Sequence, residues 1–206
     1  APKAISIILF GGIISAFLGP SLANYSKDLV SENLYVGSYL ALALLTFIPA
    51  FLFLFYESKA KVVKNLQYSG RSYLELISQP RFVQAVAASA FGYAIMTFLM
   101  TATPLSMHVM ENMSLNKTGI VIQLHVAAMF LPSLITGHLV KKYGHSNIMY
   151  AGVFLYSITI IASFFDQTFI NYLFALIFLG FGWNFLFISG TSLLALTYKE
   201  EEKFKA

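Results

Sequence analysis

Long uncharged runs alternate with short polar segments along this chain of 206 residues. Most runs reach or exceed the roughly 20 apolar residues that a helix needs to cross a hydrocarbon core about 30 Å thick. The pattern therefore predicts six membrane-spanning helices. The predicted spans cover residues 4–25, 34–56, 82–110, 118–140, 148–165 and 167–198.

Composition agrees with this pattern and excludes a soluble domain. Charged residues make up 11% of the chain and hydrophobic residues 58%, whereas a soluble domain carries about 25% charged residues. We therefore expect an all-α, polytopic membrane protein that is surrounded by the lipid bilayer. The net charge of +4 does not indicate nucleic-acid binding, because the charges lie between the spans and not on one basic face.

Charges in the connecting segments predict the orientation. Basic residues concentrate in the cytoplasmic segments of membrane proteins, and a cytoplasmic N-terminus would place eleven of the 13 basic residues on that side. Six crossings then return the chain to its starting side, so we expect both ends of the segment in the cytoplasm. The eleven residues are Lys3, Lys59, Lys61, Lys64, Arg71, Arg81, Lys141, Lys142, Lys199, Lys203 and Lys205.

The longest connection, residues 57–81, leaves two predicted spans before it and four after it. Within it Val62 and Leu66, and later Leu74 and Ile77, are spaced as short amphipathic turns that could lie on the membrane surface. A solvated linker fits the same residues equally well. Either way, this connection divides the chain into two parts of unequal size.

Two glycine motifs connect this organisation to a known family. In the first span Gly12, Gly19 and Pro20 resemble the spaced glycines and the closing Gly-Pro of the fifth helix in antiporter-type carriers. Between the fourth and fifth spans, residues 137–144 resemble the cytoplasmic loop signature of the major facilitator superfamily, although a lysine stands at the acidic position of the signature. The residues of this second motif are Gly137, Lys141, Lys142 and Gly144.

The chain as a whole resembles bacterial permeases of this superfamily with unassigned substrate. Such carriers have six helices, a long cytoplasmic loop and six more helices, so the resemblance implies helices five to ten of a twelve-helix fold. Residues 1–56 would end the first half, residues 57–81 would form the loop, and residues 82–206 would begin the second half. The resemblance also implies a segment of a longer protein in the bacterial cytoplasmic (inner) membrane, with the missing helices of the same carrier as partners.

Polar and aromatic side chains mark one face of the third span and one face of the sixth. Tyr93, Thr97 and Thr101 recur at a spacing of four and therefore share a helix face. Asn184 and Thr191 are seven residues apart and share a face in the same way. The resemblance implies that both helices line the central cavity, so we expect these side chains to contact a substrate. Hydrogen bonds that only join helices, worth about 0.6 to 2 kcal/mol each, are the alternative.

Two further residues inside the predicted spans carry candidate chemistry. His125 lies deep in the fourth span, and an imidazole that titrates near neutral pH would suit a proton-coupled step. The alternative is a neutral histidine that donates one hydrogen bond to a neighbouring helix. Trp183 lies well inside the sixth span, where it either packs against other helices or presents its ring to a substrate.

Small residues and prolines inside the spans predict how the helices pack. Gly12 and Ala16 are small residues four apart, which let two helix backbones approach closely. A proline inside a helix removes one backbone hydrogen bond and can kink the span. The prolines at such positions are Pro20, Pro49, Pro104 and Pro132.

The chain has no metal-ligand cluster, phosphate-binding loop or nucleophile triad in its sequence, so neither a cofactor nor enzymatic activity is expected. The family resemblance implies a secondary transporter that moves a small organic solute by alternating access, in which two halves rock about a midplane site. The alternative is a non-transporting membrane protein, either a scaffold or an intramembrane enzyme. An enzyme would need a buried nucleophile, a carboxylate pair or metal ligands within the spans.

Overall fold

The computed structural model of the protein describes residues 2–30, 35–56, 70–203 and 205–206, with side chains from residue 11 onward. It is an all-α bundle. The helices are α1 (Pro2–Ser26), α2 (Val36–Phe53), α3 (Tyr73–Ile77), α4 (Pro80–Leu105), α5 (Leu115–Phe130), α6 (Ser133–Tyr143), α7 (His145–Ala162) and α8 (Phe169–Leu194). A π-helical turn, Ser106–Met110, extends α4, and a short 3₁₀ turn, Glu200–Glu202, follows α8.

These helices coincide with the predicted spans. Among the described residues, α2, α7, α8 and α4 with its extension are each long and apolar enough to cross a membrane, and the broken pair α5 and α6 qualifies as one further span. Helix α1, with 25 residues, covers the remaining predicted span. The number of six spans and the division into halves stay predictions. The turn expected around Val62 and Leu66 lies outside the described residues, whereas α3 occupies the second expected turn.

Hydrogen bonds near the helix ends show that α4 and α7 run parallel to each other and that α8 runs antiparallel to both. At one end of the bundle Gln84, near the start of α4, donates to the hydroxyl of Ser146, near the start of α7, at 2.9 Å. At the other end the hydroxyls of Ser106, after α4, and Tyr172, early in α8, share a hydrogen bond of 2.7 Å. We call the first end the basic end, because Lys141 lies there, and the second the opposite end.

Helix α8 is the central helix of the bundle. In its most apolar 18-residue window 56% of the residues are buried, against 6% in α2. A Cβ atom on Gly182 would lie 2.5 Å from the ring of Tyr156 and 3.0 Å from the carbonyl oxygen of Gly152, both on α7. A Cβ atom on Gly190 would collide with Ser89 on α4. Glycine at these two positions therefore lets α7 and α4 pack directly on the α8 backbone.

Pro132 breaks the predicted fourth span. Helices α5 and α6 meet there at an angle of 41°, because proline cannot supply the backbone hydrogen bond that would continue the helix. The expected kink is thus confirmed at this position. Pro104 lies in the last turn of α4, two residues before the π-helical turn, whereas Pro20 and Pro49 lie inside helices that continue through them.

The second glycine motif forms the end of α6 and the turn into α7. Gly144 has a φ angle of +85°, a conformation that residues with a side chain rarely adopt, and α7 begins at the next residue. Lys141 and Lys142 lie in the last turn of α6, where positive charge complements the helix dipole. Gly137 is exposed, with open space where a side chain would extend. The motif therefore builds a tight turn at the basic end.

An ion pair joins the chain before α3 to the chain after α8. Arg71 donates to both carboxylate oxygens of Glu202, from Nε at 2.8 Å and from Nη2 at 2.6 Å. The same carboxylate accepts the backbone N–H groups of Arg71 and Lys199, each at 2.9 Å, and Glu202 is buried. These contacts, which we call the Arg71–Glu202 clamp, tie the approach to α4 to the end of α8.

The Arg71–Glu202 clamp should stabilise the fold at neutral and mildly acid pH and lose this effect only when the pH falls below the ordinary pKa of glutamate. Hydrogen bonds from the Arg71 side chain, and then from the Lys199 backbone, hold the pKa of Glu202 well below its ordinary value of 4.5. Because the folded-state pKa is lowered, the carboxylate stabilises the fold fully above the ordinary pKa and loses this effect as pH falls toward the lowered pKa. The Tm difference between wild type and Glu202→Gln should therefore stay constant from about pH 8 to about pH 5 and shrink at lower pH. If the Tm difference between the two proteins disappeared between about pH 7 and about pH 6, Glu202 would not be the ionised group described here.

Candidate functional site

One exposed face of α4 carries the polar residues that the sequence marked. Tyr93, Thr97 and Thr101 are all exposed. The Thr101 hydroxyl donates to the carbonyl oxygen of Thr97 at 2.8 Å, so it is bonded within its own helix. Gly92 and Met96 are buried, and Gly92 lies against Leu186 on the side of α4 that packs against α8. The Tyr93 face therefore lies beside the helix contact and is uncovered within the described bundle.

Four aromatic side chains from three helices form a continuous row next to this face. Tyr93 on α4 lies 6.5 Å from Phe187 on α8, measured between ring centroids. Phe187 stacks on Trp183 at 4.8 Å with 11° between the ring planes, and Trp183 makes a T-shaped pair with Phe130 on α5 at 6.4 Å. All three distances lie within the range of favourable aromatic pairs, about 4.5 to 7 Å. We call these four residues the aromatic row.

The aromatic row runs from the surface of the bundle toward its interior. Tyr93 is 53% exposed, whereas Trp183 is 8% exposed. The indole Nε1 of Trp183 has no hydrogen-bond partner among the described residues. A buried indole N–H usually has a partner, so the described residues leave this donor unsatisfied inside the bundle.

Asn184 follows Trp183 in sequence but faces the break between α5 and α6. Its Nδ2 donates to the carbonyl oxygen of Met129 at 2.7 Å and to the hydroxyl of Ser133 at 2.5 Å. Its Oδ1 accepts the hydroxyl of Thr136 at 2.6 Å. The side chain is completely buried and both of its donor hydrogens are used. We call this set the Asn184 joint, because it fastens α8 to both sides of the broken span.

His125 faces α8 from α5 and is completely buried. Its Nδ1 lies 2.7 Å from the carbonyl oxygen of Leu176, and a carbonyl oxygen only accepts, so Nδ1 carries the proton in this bond. Nε2 has no partner in the described part of the chain. The geometry is that of a neutral histidine bonded to a neighbouring helix, since a second proton would bury an uncompensated charge. A role of His125 in proton coupling stays a prediction.

Thr191 extends the site along α8 toward the basic end. It is exposed, one turn beyond Phe187, and its hydroxyl donates to the carbonyl oxygen of Phe187 at 2.7 Å. Sequence reasoning did not select Phe130 or Thr136, which join the aromatic row and the Asn184 joint. Their positions in the sequence could have indicated them, because Phe130 lies two residues before Pro132 and Thr136 four residues after it. Side chains beside a proline break face the gap that the bend opens.

Helix α1 contacts the rest of the bundle through α5. Gln123 Nε2 donates to the hydroxyl of Ser21 at 2.8 Å and to the carbonyl oxygen of Phe17 at 3.0 Å. Nearer the opposite end, Asn24 Nδ2 donates to Asn116 Oδ1 at 2.6 Å. We call these contacts the α1–α5 seam. Polar side chains therefore hold the seam at two levels along α1.

The small residues of α1 bring this seam close to the aromatic row. A Cβ atom on Gly12 would lie 3.1 Å from the ring of Phe130, and Ala16 is 2% exposed. The predicted close approach of this pair to another helix is therefore confirmed. Gly19 has open space around it, and Pro20 lies one residue later inside α1.

Similarity to known proteins covers nearly the whole chain. A family model described as Major Facilitator Superfamily matches residues 1–203. The chain is similar to a protein named riboflavin transporter RfnT from Brucella anthropi, with 36% identity over 206 residues that cover 99% of this chain and 52% of that protein. It is also similar to an uncharacterized MFS-type transporter, YddS, from Bacillus subtilis, with 30% identity over 210 residues that cover 93% of this chain and 48% of that protein. The chain thus spans about half the length of these curated relatives. No solved structure matches it.

Proposed function

This chain belongs to the major facilitator superfamily, and on that premise we propose that the protein is a secondary transporter that carries a small, flat heteroaromatic solute by alternating access. The chain would supply helices five to ten of twelve. In this arrangement α1 and α2 end the first half of the carrier, and α4 to α8 begin the second half. The exposed side of the aromatic row would then face the missing helices across a central pathway, where carriers bind their substrates.

The aromatic row is the observation that carries this proposal. Rings from α4, α8 and α5 lie side by side, and the row continues outward to the half-exposed ring of Tyr93. A flat solute can stack on such a surface, and each aromatic pair adds about 0.5 to 1.5 kcal/mol beyond the buried area. A stacking surface of this kind fits a flat aromatic ring better than a sugar or an aliphatic acid.

A flavin combines the chemical features that this surface would recognise. Riboflavin has a flat ring system with carbonyl and ring-nitrogen acceptors, together with a chain of hydroxyl groups. The exposed hydroxyls of Thr97, Thr101 and Thr191 lie on the same side as the row and could pair with such a chain. The relative from Brucella anthropi carries the name of a riboflavin transporter. We therefore take riboflavin as the first solute to test.

The orientation and the contact between halves complete the proposal. The concentration of basic residues at the basic end favours its placement in the cytoplasm, so the opposite end would face outward. On the proposed assignment α1 belongs to the first half and α5 to the second, and the α1–α5 seam joins the two halves. Rocking of the halves about the aromatic row would then open and close this seam during transport.

Uptake by the complete carrier in proteoliposomes tests the proposed function. Tritiated riboflavin should be taken up, and ribitol, which has the hydroxyl chain without the ring, should not. Trp183→Leu removes the central ring of the row, so it should lower kcat/KM for riboflavin by at least about tenfold, equivalent to about 1.4 kcal/mol. Uptake that Trp183→Leu leaves unchanged would contradict the role of the aromatic row.

Phe98→Leu is the matched control for this experiment. Phe98 is 71% exposed on α4 and lies on a different side of the helix from Tyr93. Its replacement should change kcat/KM by less than about twofold, since exposed positions away from a site have small effects. If the folded wild-type protein moves no solute of this class, the proposed function is wrong and the non-transporting alternative is favoured.

A further inference from the structure

A cavity of about 610 Å³ lies at the opposite end of the bundle, between α1, α2 and α5. The four residues of the aromatic row do not line it. Sites for small molecules typically have volumes of about 300 to 1,000 Å³. This cavity is therefore large enough for a solute of the proposed class, at a place separate from the row.

Contacts between the end of α1 and the start of α2 fix one wall of the cavity. The hydroxyl of Ser38 donates to the carbonyl oxygen of Ala23 at 2.7 Å, and Gly37 is buried where a side chain would collide with Ser26. Tyr35, directly before α2, has a φ angle of +70°. A bulky residue keeps such a conformation only where its surroundings hold it, which is typical of ligand clamps. Tyr35 itself lines the cavity.

The cavity lining combines tyrosine rings with side-chain amides. Tyr25, Tyr35 and Tyr39 contribute rings with exposed fractions of 83%, 40% and 73%, so much of their surface is uncovered. Asn116 and Gln123 contribute amides from α5. Aromatic rings stack on flat solutes, and a few placed amides fix their orientation by hydrogen bonds. The cavity thus offers the same kind of chemistry as the aromatic row.

One face of α5 connects the cavity with the aromatic row. Gly119, Gln123, Val126 and Phe130 recur at spacings of four, three and four, so they share a helix face. Gly119 and Gln123 line the cavity, and Phe130 belongs to the row. The seven residues from Gln123 to Phe130 correspond to about 10 Å along the helix axis. The two places therefore follow one another along a single surface.

We propose that this cavity is a second solute site, the outer site, which binds the flat heteroaromatic solute on its way between the outside and the aromatic row. This inference rests on the proposed function, which supplies the class of solute and the placement of the opposite end of the bundle outside the cell. Gln123 belongs both to the cavity lining and to the α1–α5 seam. A solute in the outer site therefore contacts the side chain that helps to close the path between the two sites.

Filling the cavity tests the outer site in the complete carrier. The position of a Cβ atom on Gly119 has no neighbouring atom within 4 Å, so Gly119→Phe would place its ring in the open space of the cavity. The KM for riboflavin supplied from the outside should rise by about tenfold while kcat stays within about twofold, as expected when binding alone is weakened. Gly11→Phe is the matched control, because it makes the same substitution on α1 at an exposed position that also has no neighbouring atom within 4 Å. Gly11 does not line the cavity, so this variant should behave as wild type.

The outcomes separate the outer site from the proposed function. A folded Gly119→Phe carrier with wild-type Tm and wild-type KM overturns the outer site, and it leaves the proposed function standing if Trp183→Leu still lowers riboflavin uptake. Wild-type carrier that transports no riboflavin overturns both. If Gly119→Phe does not fold, Tyr39→Ala removes a ring that is 73% exposed. A higher KM from the outside then supports the outer site, and an unchanged KM overturns it.

Discussion

Gly182→Val is expected to lower the stability of the carrier by about 3 kcal/mol, as overpacking at a tight contact does. Even the first atom of the new side chain would lie 2.5 Å from the Tyr156 ring and 3.0 Å from the backbone of Gly152. The ring cannot easily withdraw, because Tyr156 is buried and its hydroxyl donates to the carbonyl oxygen of Gly92 at 2.6 Å. Helix α7 would have to move away from α8, with loss of the hydrogen bond to α4.

Thermal unfolding of the purified carrier in detergent measures this effect. Gly11→Val makes the same substitution in α1 at a position with open space around it and should change Tm little. If Gly182→Val and Gly11→Val lower Tm equally, the contact between α7 and α8 does not require glycine at position 182. The packing described for α8 would then be wrong.

Asn184→Leu is expected to cost about 2 kcal/mol of stability, since it leaves buried polar groups without partners. Leucine branches at the same carbon as asparagine but cannot bond Met129, Ser133 or Thr136. The Asn184 joint would then no longer fix the angle between α5 and α6. Because α5 carries Phe130 and the α1–α5 seam, we also expect transport to fall.

A double-mutant cycle with Thr136→Val checks the Asn184 joint directly. The hydroxyl of Thr136 donates to Asn184, so the two changes together should cost less than the sum of the two single changes. Thr191→Val is the control for stability, because the Thr191 hydroxyl is bonded within α8. Strictly additive effects of the first pair would show that the joint contributes no coupling between α8 and the broken span.

The spans and their approximate ends could be predicted from the sequence because they depend on local properties. A run of about 20 uncharged residues has one solution in a bilayer, a helix whose own backbone satisfies every polar group. The turn at Gly144 was equally local, since glycine tolerates its positive φ angle. These features need no information about which helices lie next to each other.

The effect of each proline could not be predicted from the sequence in the same way. Pro20 and Pro49 lie inside continuous helices, whereas Pro132 separates two. At Pro132 the amide of Asn184, more than 50 residues later in the chain, bonds the carbonyl oxygen of Met129 on one side of the break and the hydroxyl of Thr136 on the other. A break becomes stable when another helix supplies such partners, and the sequence does not show which helix will do so.

The aromatic row shows the same limit for the candidate site. Tyr93 and Trp183 could be selected one by one, because each is a polar aromatic residue inside a predicted span. Their connection through Phe187, and the addition of Phe130 from α5, depend on which helix faces meet. The Arg71–Glu202 clamp is a more extreme case, since 131 residues separate its partners and both lie among many other surface charges.

The most direct test of the central claim uses the fluorescence of Trp183, the single tryptophan of this chain. In the complete carrier, with any tryptophan outside this segment replaced by phenylalanine, riboflavin should quench Trp183 in a saturable titration, because a flat solute would stack on the aromatic row. Ribitol should leave the fluorescence unchanged. Saturable transport of riboflavin without any quenching of Trp183 would contradict the claim that the aromatic row is the solute site.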